Sequence, residues 1–375
     1  MLGGCVDGCS AESLVYGNAT PADARELLEE FMAPLLSTGS TALHRSQMDA
    51  ARVVQLPTGI EWVNTSAVPN ADETNSSIEV YFQVGPFDPH VQAALSVLAN
   101  IIKEPAFDQL RTKEQLGYIV HTSTKSQYGV NGLRIIVQSH VKHPNGLDTR
   151  IEAFLEAFRA TLGALSPVEF DANRKAVAAE LLEMPKRPAQ VAQPMWYEIN
   201  LGRYAFSRRQ DTAAAIAKLT LDDVVAFYDY YVAPGGAGRR KASAHVVAAA
   251  HAEAGADGEA APAAAAAEGG SDKATECEGE GEGEAAAPVT VDAAPTSTRL
   301  PLPAGLKLVN SLASDSPFVG KPASVLVAEA RAHAGLSDDD KANPVVDVDD
   351  IAAFRRGMPL FGSIERPHGV AVSKL

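Results

Sequence analysis

Leu110-Arg111-Thr112-Lys113-Glu114-Gln115-Leu116-Gly117-Tyr118-Ile119-Val120 joins two patterns of different period. Before it, Val91, Ala94, Leu95, Leu98, Ile101 and Ile102 recur at helical spacing, behind Asp88 as N-cap and Pro89 as first helical residue. After it, Tyr118, Val120 and Thr122 alternate with Ile119, His121 and Ser123, as in a strand. Gly117 fits the hinge between helix and strand. Arg111 suits a carbonyl or carboxylate, and Tyr118 adds a phenol donor. Residue types alone leave two readings open. One is a hinge that holds a peptide, and the other is a surface Arg–Glu pair beside a half-buried strand tyrosine.

Working outward, residues 51–248 read as one α+β domain. Val53–Leu56 and Ile60–Thr65 flank Pro57-Thr58-Gly59, a hairpin signal. Ile78, Val80, Phe82 and Val84, then Leu133, Ile135, Val137, Ser139 and Val141, give strands with one buried face. Ile151, Phe154, Leu155, Phe158, Leu162 and Leu165 form an amphipathic helix. Ser166-Pro167-Val168-Glu169 is a capping box for the next helix, which stops at Met184-Pro185. A further helix surrounds Trp196 and Tyr197, Thr220-Leu221-Asp222-Asp223 caps another, and Lys241–Val247 is a last strand. Hairpin strands and paired helices predict an antiparallel sheet with helices packed on one face.

The flanks differ. Residues 1–50 hold one capped helix from Thr20-Pro21, with Leu27, Leu28, Phe31, Met32 and Leu35 as its stripe, and one helix cannot bury its own stripe. This predicts the tail of a preceding domain. Residues 249–340 form a low-complexity acidic Ala/Gly/Glu insert. Its stretch 251–290 carries ten Asp or Glu against one Lys, so −9 of the formal −15 lies there. Residues 249–299 are expected to be disordered for want of apolar side chains, and order from 300 to 345 is left open. Residues 341–375 read as a C-terminal piece packing back on the domain, helical from Val346 to Gly357, with Pro359-Leu360-Phe361 as an apolar plug.

The acidic balance argues against nucleic acid as a partner. Cys5, Cys9 and Cys277 are too few and scattered for a disulfide framework. No run of about 18 apolar residues predicts a membrane span. Ser373-Lys374-Leu375 at the carboxyl terminus matches the peroxisomal import address, which implies an import receptor as partner and a peroxisomal or cytosolic location. Self-association is left open.

Nine histidines are present, at 44, 90, 121, 140, 143, 245, 251, 333 and 368. Only His140 and His143 are close together. They read as two exposed loop histidines, with no Glu-His following and Pro144 breaking any helical register. No residue of this chain is therefore assigned as catalytic or as a metal ligand. Gly235-Gly236-Ala237-Gly238 lacks the helix that a phosphate-binding loop needs.

Taken as a string, Leu110–Val120 closely resembles the C-terminal, non-catalytic half of the insulin-degrading-enzyme branch of the pitrilysin family of inverzincin metallopeptidases. Leu14–Asn18 (LVYGN), Ile135–Ser139 (IIVQS), Arg150–Phe154 (RIEAF) and Phe354–Phe361 (FRRGMPLF) follow in the same order. The resemblance implies the LuxS-like α+β metallopeptidase domain, preceded by part of a similar domain. It implies a zinc metalloendopeptidase acting on peptides, with zinc held by an H-x-x-E-H helix in an N-terminal half and with no zinc bound by this chain alone. It also implies Arg111 and Tyr118 as contacts to bound peptide and Gln115 as a contact between halves. Arg134, Lys186 and Arg187 are implied as an anion or nucleotide patch, although basic residues at a helix end read alone as ordinary dipole partners. Two functions stay open: the chamber half of a peptidase that is inactive without its N-terminal half, or a stand-alone peptide-binding or regulatory module.

Overall fold

The structure, a computed structural model, describes residues 8–37, 39–43, 52–70, 72–253, 308–309, 323–336, 343–348, 354–355, 358 and 360–361. Its elements run β1 (Gly8–Cys9), α1 (Pro21–Ser37), β2 (Thr41–Ala42), β3 (Glu61–Ala67), β4 (Ser76–Pro86) and α2 (Pro89–Ala106). A π-helical turn, Phe107–Lys113, leads to β5 (Ile119–Gln127) and β6 (Val130–Ser139). Five helices follow: α3 (Pro144–Gly163), α4 (Pro167–Leu181), α5 (Pro188–Asn200), α6 (Arg208–Lys218) and α7 (Leu221–Tyr231). Then come β7 (Lys241–Val247), α8 (Ala249–Glu253), β8 (Leu308–Val309), α9 (Ala323–His333) and β9 (Val345–Asp347).

Seven strands form one sheet in the order β5-β6-β4-β7-β3-β9-β8. The expected antiparallel sheet is only half right. β5, β6, β4 and β7 pair antiparallel, whereas β7–β3, β3–β9 and β9–β8 are parallel. The parallel pairs join segments far apart in the chain, as parallel pairing requires a long crossover. The expected hairpin around Pro57 is also absent. Gln83 is buried and captures that segment by its side chain, giving Nε2 to the Val54 carbonyl (2.9 Å) and accepting from Leu56 N–H (2.9 Å).

Ile78, Val80 and Phe82 face the helices, as do Leu133, Ile135 and Val137. Against them pack Leu95, Leu98 and Ile102 of α2, Ile151, Leu155 and Phe158 of α3, and Tyr228 of α7. Each such side chain contributes about 1.5–3 kcal/mol on burial. Helices are not confined to this face. On the other, Leu326 and Ala330 of α9 cover Trp62 and Val346 at the β3–β9 end. α9 and β8 fall where order was left open, and α8 gives helix to the first residues of the stretch 249–299 that was expected to be disordered. Val346, expected to be helical, lies in β9 opposite Trp62, because the apolar pair Val345-Val346 is buried between β3 and β8. Met358 and Phe361 are buried, and Phe361 N–H bonds the Val53 carbonyl. α1 buries none of its residues, and Leu27 and Phe31 stay exposed. Cys5, Cys277 and Ser373 to Leu375 lie outside the described residues.

Between the sheet and α3 lies a buried ionic cluster. Arg239 pairs with Glu61 (2.9 Å) and Glu152 (2.6 Å), and its guanidinium sits 5.1 Å from the Phe82 ring centroid. Lys241 pairs with Glu61 (3.0 Å), Asp148 (2.8 Å) and Glu152 (2.8 Å). Burial opposes the Lys241 charge, but Asp148, Glu61 and Glu152 outweigh it and hold its pKa above the ordinary range.

Three buried histidines stand at the other end of β7. His143 caps α3, its Nδ1 accepting from Asn145 N–H (3.2 Å), so it is not the exposed loop residue its sequence context predicts. Ser76 Oγ accepts from Ala248 N–H and shares a 2.7 Å hydrogen bond with His251 Nδ1. Neither ring nitrogen of His245 has a hydrogen-bond partner, and Asp148 Oδ2 stands 4.0 Å away. Burial pushes all three pKa values down, that of His245 to about 3, where Lys241 adds to the effect. A folded-state pKa below the unfolded value means that protons bind preferentially to the unfolded chain as pH falls below about 6.5. We therefore expect the chain to lose about 2 kcal/mol of stability between pH 7.5 and pH 5 from His245 alone. Urea unfolding at the two pH values tests this. His245→Leu should flatten the dependence, and an equally steep dependence in the variant would show that His245 does not cause it.

Candidate functional site

α2 does not end where its hydrogen-bond pattern changes. Asp88 opens it by accepting from His90 and Val91 N–H, and the helix then widens into the π-turn. Glu114 N–H reaches back to Gln109 O (3.0 Å), and Leu116 N–H to Leu110 O (3.0 Å). Such turns recur at functional sites because they redirect side chains within a helix. Leu110 and Leu116 are buried and anchor the turn from below. Gln115 takes φ 51°, the left-handed conformation that reverses the chain. Gly117 then passes so close to β6 that a Cβ would stand 1.9 Å from the Gln138 carbonyl oxygen. Glycine is required here by approach rather than by φ.

This path lifts Arg111 and Tyr118 to one surface. The Arg111 guanidinium lies 4.6 Å from the Phe107 ring centroid and 4.9 Å from that of Tyr118. Tyr118 is 78% exposed. Both rings thus contact the guanidinium at cation–π distance. Among the described residues neither Arg111 nor the Tyr118 hydroxyl has a hydrogen-bond or ion-pair partner. The surface Arg–Glu pair that residue types also allowed is absent, because Glu114 turns to Arg150 instead (2.6 and 2.8 Å, both carboxylate oxygens engaged). That bond holds the Glu114 carboxyl below its ordinary range, with burial opposing. The pair walls a cleft of about 510 Å³ floored by Phe154 and Phe158.

The other expected residues are dispersed. Gln115 is exposed on the hinge itself. Arg134 stands on the sheet face away from α2 and α3, its Nε and Nη2 donating to Ser123 Oγ (3.3 and 3.2 Å). Lys186 and Arg187 lie in the α4–α5 connection, not on the end of α4, which stops at Leu181. Their N–H groups donate to Gln190 Oε1, and Lys186 pairs with Glu183 (3.4 Å). Among the described residues no contact joins Arg134 to the other two. Among the described residues no group of three or more His, Cys, Asp or Glu is arranged to hold a metal. His140 and His143 are separated by the strand end and the α3 cap. Sequence reasoning missed Phe107 and Arg150. Phe107 lies four residues before Arg111, a spacing that brings side chains together on a helix.

A family described as PQQ synthase PqqF-like, C-terminal lobe domain 4, matches residues 97–196, which span the hinge, α3, α4 and most of α5. Human insulin-degrading enzyme is 34% identical over 238 residues, covering 63% of this chain and 23% of that protein. The chain is similar to insulin-degrading enzyme over this part, and its matched residues 97–196 correspond to a C-terminal lobe domain. Insulin-degrading enzyme-like 1, peroxisomal, of Arabidopsis thaliana is 29% identical over 243 residues, covering 64% and 25%. The crystal structure of pitrilysin superposes with a TM-score of 0.51 at 26% identity, covering 61% of this chain and 23% of that one. The chain thus spans about a quarter of the length of the insulin-degrading enzymes it matches. No described helix is long and apolar enough to cross a membrane.

The close approach at residue 117 gives a direct check on the hinge. Gly117→Ala drives a methyl into backbone, which cannot yield as a side-chain tip can. Overpacking of this kind costs about 1–3 kcal/mol. The melting temperature should fall, and amide resonances of residues 115–119 should move. An unchanged melting temperature and spectrum would mean that the strand does not constrain the hinge.

Proposed function

We propose that this chain supplies the peptide-contacting, non-catalytic half of a zinc metalloendopeptidase of the insulin-degrading-enzyme type. The observation that carries the reading is Arg111, in contact with the Phe107 and Tyr118 rings and, among the described residues, without a hydrogen-bond or ion-pair partner. A guanidinium held against two rings has lost part of its rotamer freedom, so a peptide carbonyl or carboxylate meets a partly preorganised donor. Tyr118 adds a hydroxyl beside it. Gln115, exposed on the same hinge, is the proposed contact to the N-terminal half. That half, from the same gene or a separate subunit, would bring the H-x-x-E-H helix, its zinc and the water to be activated. This chain's own sequence contains no such motif. Its part is to orient the peptide and to help exclude water once the halves close.

Arg134, Lys186 and Arg187 remain proposed as anion contacts, dispersed over the surface rather than preassembled. The alternative function, a stand-alone peptide-binding or regulatory module, rests on the same hinge and differs only in lacking the catalytic partner. Residence in the peroxisomal matrix or cytosol is proposed from Ser373-Lys374-Leu375 and from the peroxisomal name of the Arabidopsis relative.

Three outcomes test the reading. Purified alone, the chain should cleave no peptide and hold no stoichiometric zinc. Combined with a catalytic half it should cleave. In that complex Arg111→Ala should lower kcat/KM about ten-fold or more, for loss of a charged donor worth on the order of 2 kcal/mol. Tyr118→Phe should cost about 1 kcal/mol, and neither should move the melting temperature appreciably. Wild-type kinetics in both variants would reject the hinge as a peptide clamp. Binding without cleavage under every reconstitution would favour the regulatory module. For location, an N-terminal fluorescent fusion should give punctate signal that becomes diffuse when Ser373–Leu375 are deleted. Identical distributions would discard the targeting assignment.

A further inference from the structure

We propose that Arg150 is a positioning residue for the hinge, acting through Glu114 to set the direction in which Arg111 points. The inference deepens the peptide-clamp reading and rests on it for its functional consequence, though not for its geometry. Glu114 is tied down three times at one place. Its two carboxylate oxygens take Arg150 Nε and Nη2 at 2.6 and 2.8 Å. Oε1 also accepts from Gln109 Nε2 at 2.8 Å, and its backbone N–H closes the π-turn on Gln109 O at 3.0 Å. Side chain and backbone of Glu114 therefore both lock to Gln109, and Arg111 lies inside the loop they close.

The alternative to this loop is the ordinary α-helix. A π-turn holds one residue more than an α-turn of the same span. Relaxing it would rotate every side chain beyond the change by about 100°, one residue's share of a 3.6-residue turn. Arg111 would then leave the Tyr118 ring. Arg150 has the standing to prevent that because its own helix cannot shift. Asp148 and Glu152, two residues to either side of it, are held by Lys241 and Arg239 in the buried cluster. Arg150 thus projects from a fixed platform toward the turn. Its side chain is 41% exposed, and an ion pair open to that degree adds little to global stability. A residue whose loss barely moves the melting temperature but moves Arg111 is one that positions.

Arg150→Met, which keeps the aliphatic stem, and Arg150→Lys, which keeps the charge but not the two-point contact, separate the readings in the full chain. The side-chain Nε–Hε resonance of Arg111 reports ring currents from Phe107 and Tyr118. We expect Arg150→Met to move it toward the position of a free arginine and Arg150→Lys to move it part of the way, with the melting temperature little changed in both. In complex with a catalytic half, Arg150→Met should lower kcat about ten-fold with KM within about two-fold, and Arg150→Lys should recover part of kcat. An Arg111 resonance at its wild-type position in Arg150→Met overturns the proposal, as does Arg150→Lys being as damaged as Arg150→Met in both readouts. If the resonance moves while Arg111→Ala cleaves peptide at the wild-type rate, the positioning stands and the clamp falls.

Discussion

The placement of α3 is fixed by charges that the interior cannot expel. Arg239 and Lys241 are almost fully buried, and between them they engage Glu61, Asp148 and Glu152. Removing Lys241 would leave Asp148 without a cationic partner in the core, at a cost of about 3–5 kcal/mol. The cluster spans β3, β7 and α3, so it fixes at once the register of a parallel strand pair and the height of a helix above it. Apolar packing alone would tolerate a slide of α3 over Ile78 and Val80. Five charged groups in one pocket do not. From that fixed helix the chain of contacts runs outward through Arg150 and Glu114 to the π-turn, and so to Arg111.

The hinge joins two kinds of constraint that differ in what they permit. Leu110, Leu116 and Gly117 are held by burial and by contact with backbone, which leaves no second arrangement. Arg111 and Tyr118 are held by their contact with each other and with the Phe107 ring, and Tyr118 stays open to solvent. A rigid base with a few exposed donors is what preorganised recognition requires.

Much of this was legible in the sequence, and the limits are instructive. Asp88-Pro89, Ser166-Glu169 and Thr220-Asp223 open helices where their capping chemistry predicts. The alternation in Ile78–Val84 and Leu133–Ser139 gave the right buried face. Strand pairing did not follow, because alternation says which face is buried and nothing about which neighbour lies alongside. Hence the parallel β3–β7 and β3–β9 pairs were invisible, and Val53–Leu56 passed for a strand until Gln83 claimed its backbone. α6, whose Arg208–Lys218 sequence is polar with only Thr212, Ala213, Ala215 and Ile216 buried, shows too narrow a stripe to stand out. At the site, Arg111 and Tyr118 were singled out by residue type and resemblance. Their stacking was not, since a regular α-helix would have predicted a different azimuth for Arg111.

The β3–β9 pairing carries a consequence in time. Glu61 and Val345 are partners across the sheet but are separated by 284 residues of chain, the difference of their numbers. A ribosome adding about 5–20 residues per second needs roughly 15 seconds to a minute to cover that distance. Through that interval the outer edge of β3 has no strand beside it, and Trp62 waits without Val346, Leu326 or Ala330 over it. An unpaired edge next to a bare indole is a template for association with another nascent chain. The same closure, once made, is long-range and so slow to form. The emergence of β9 thus determines how long the outer edge of β3 must be shielded.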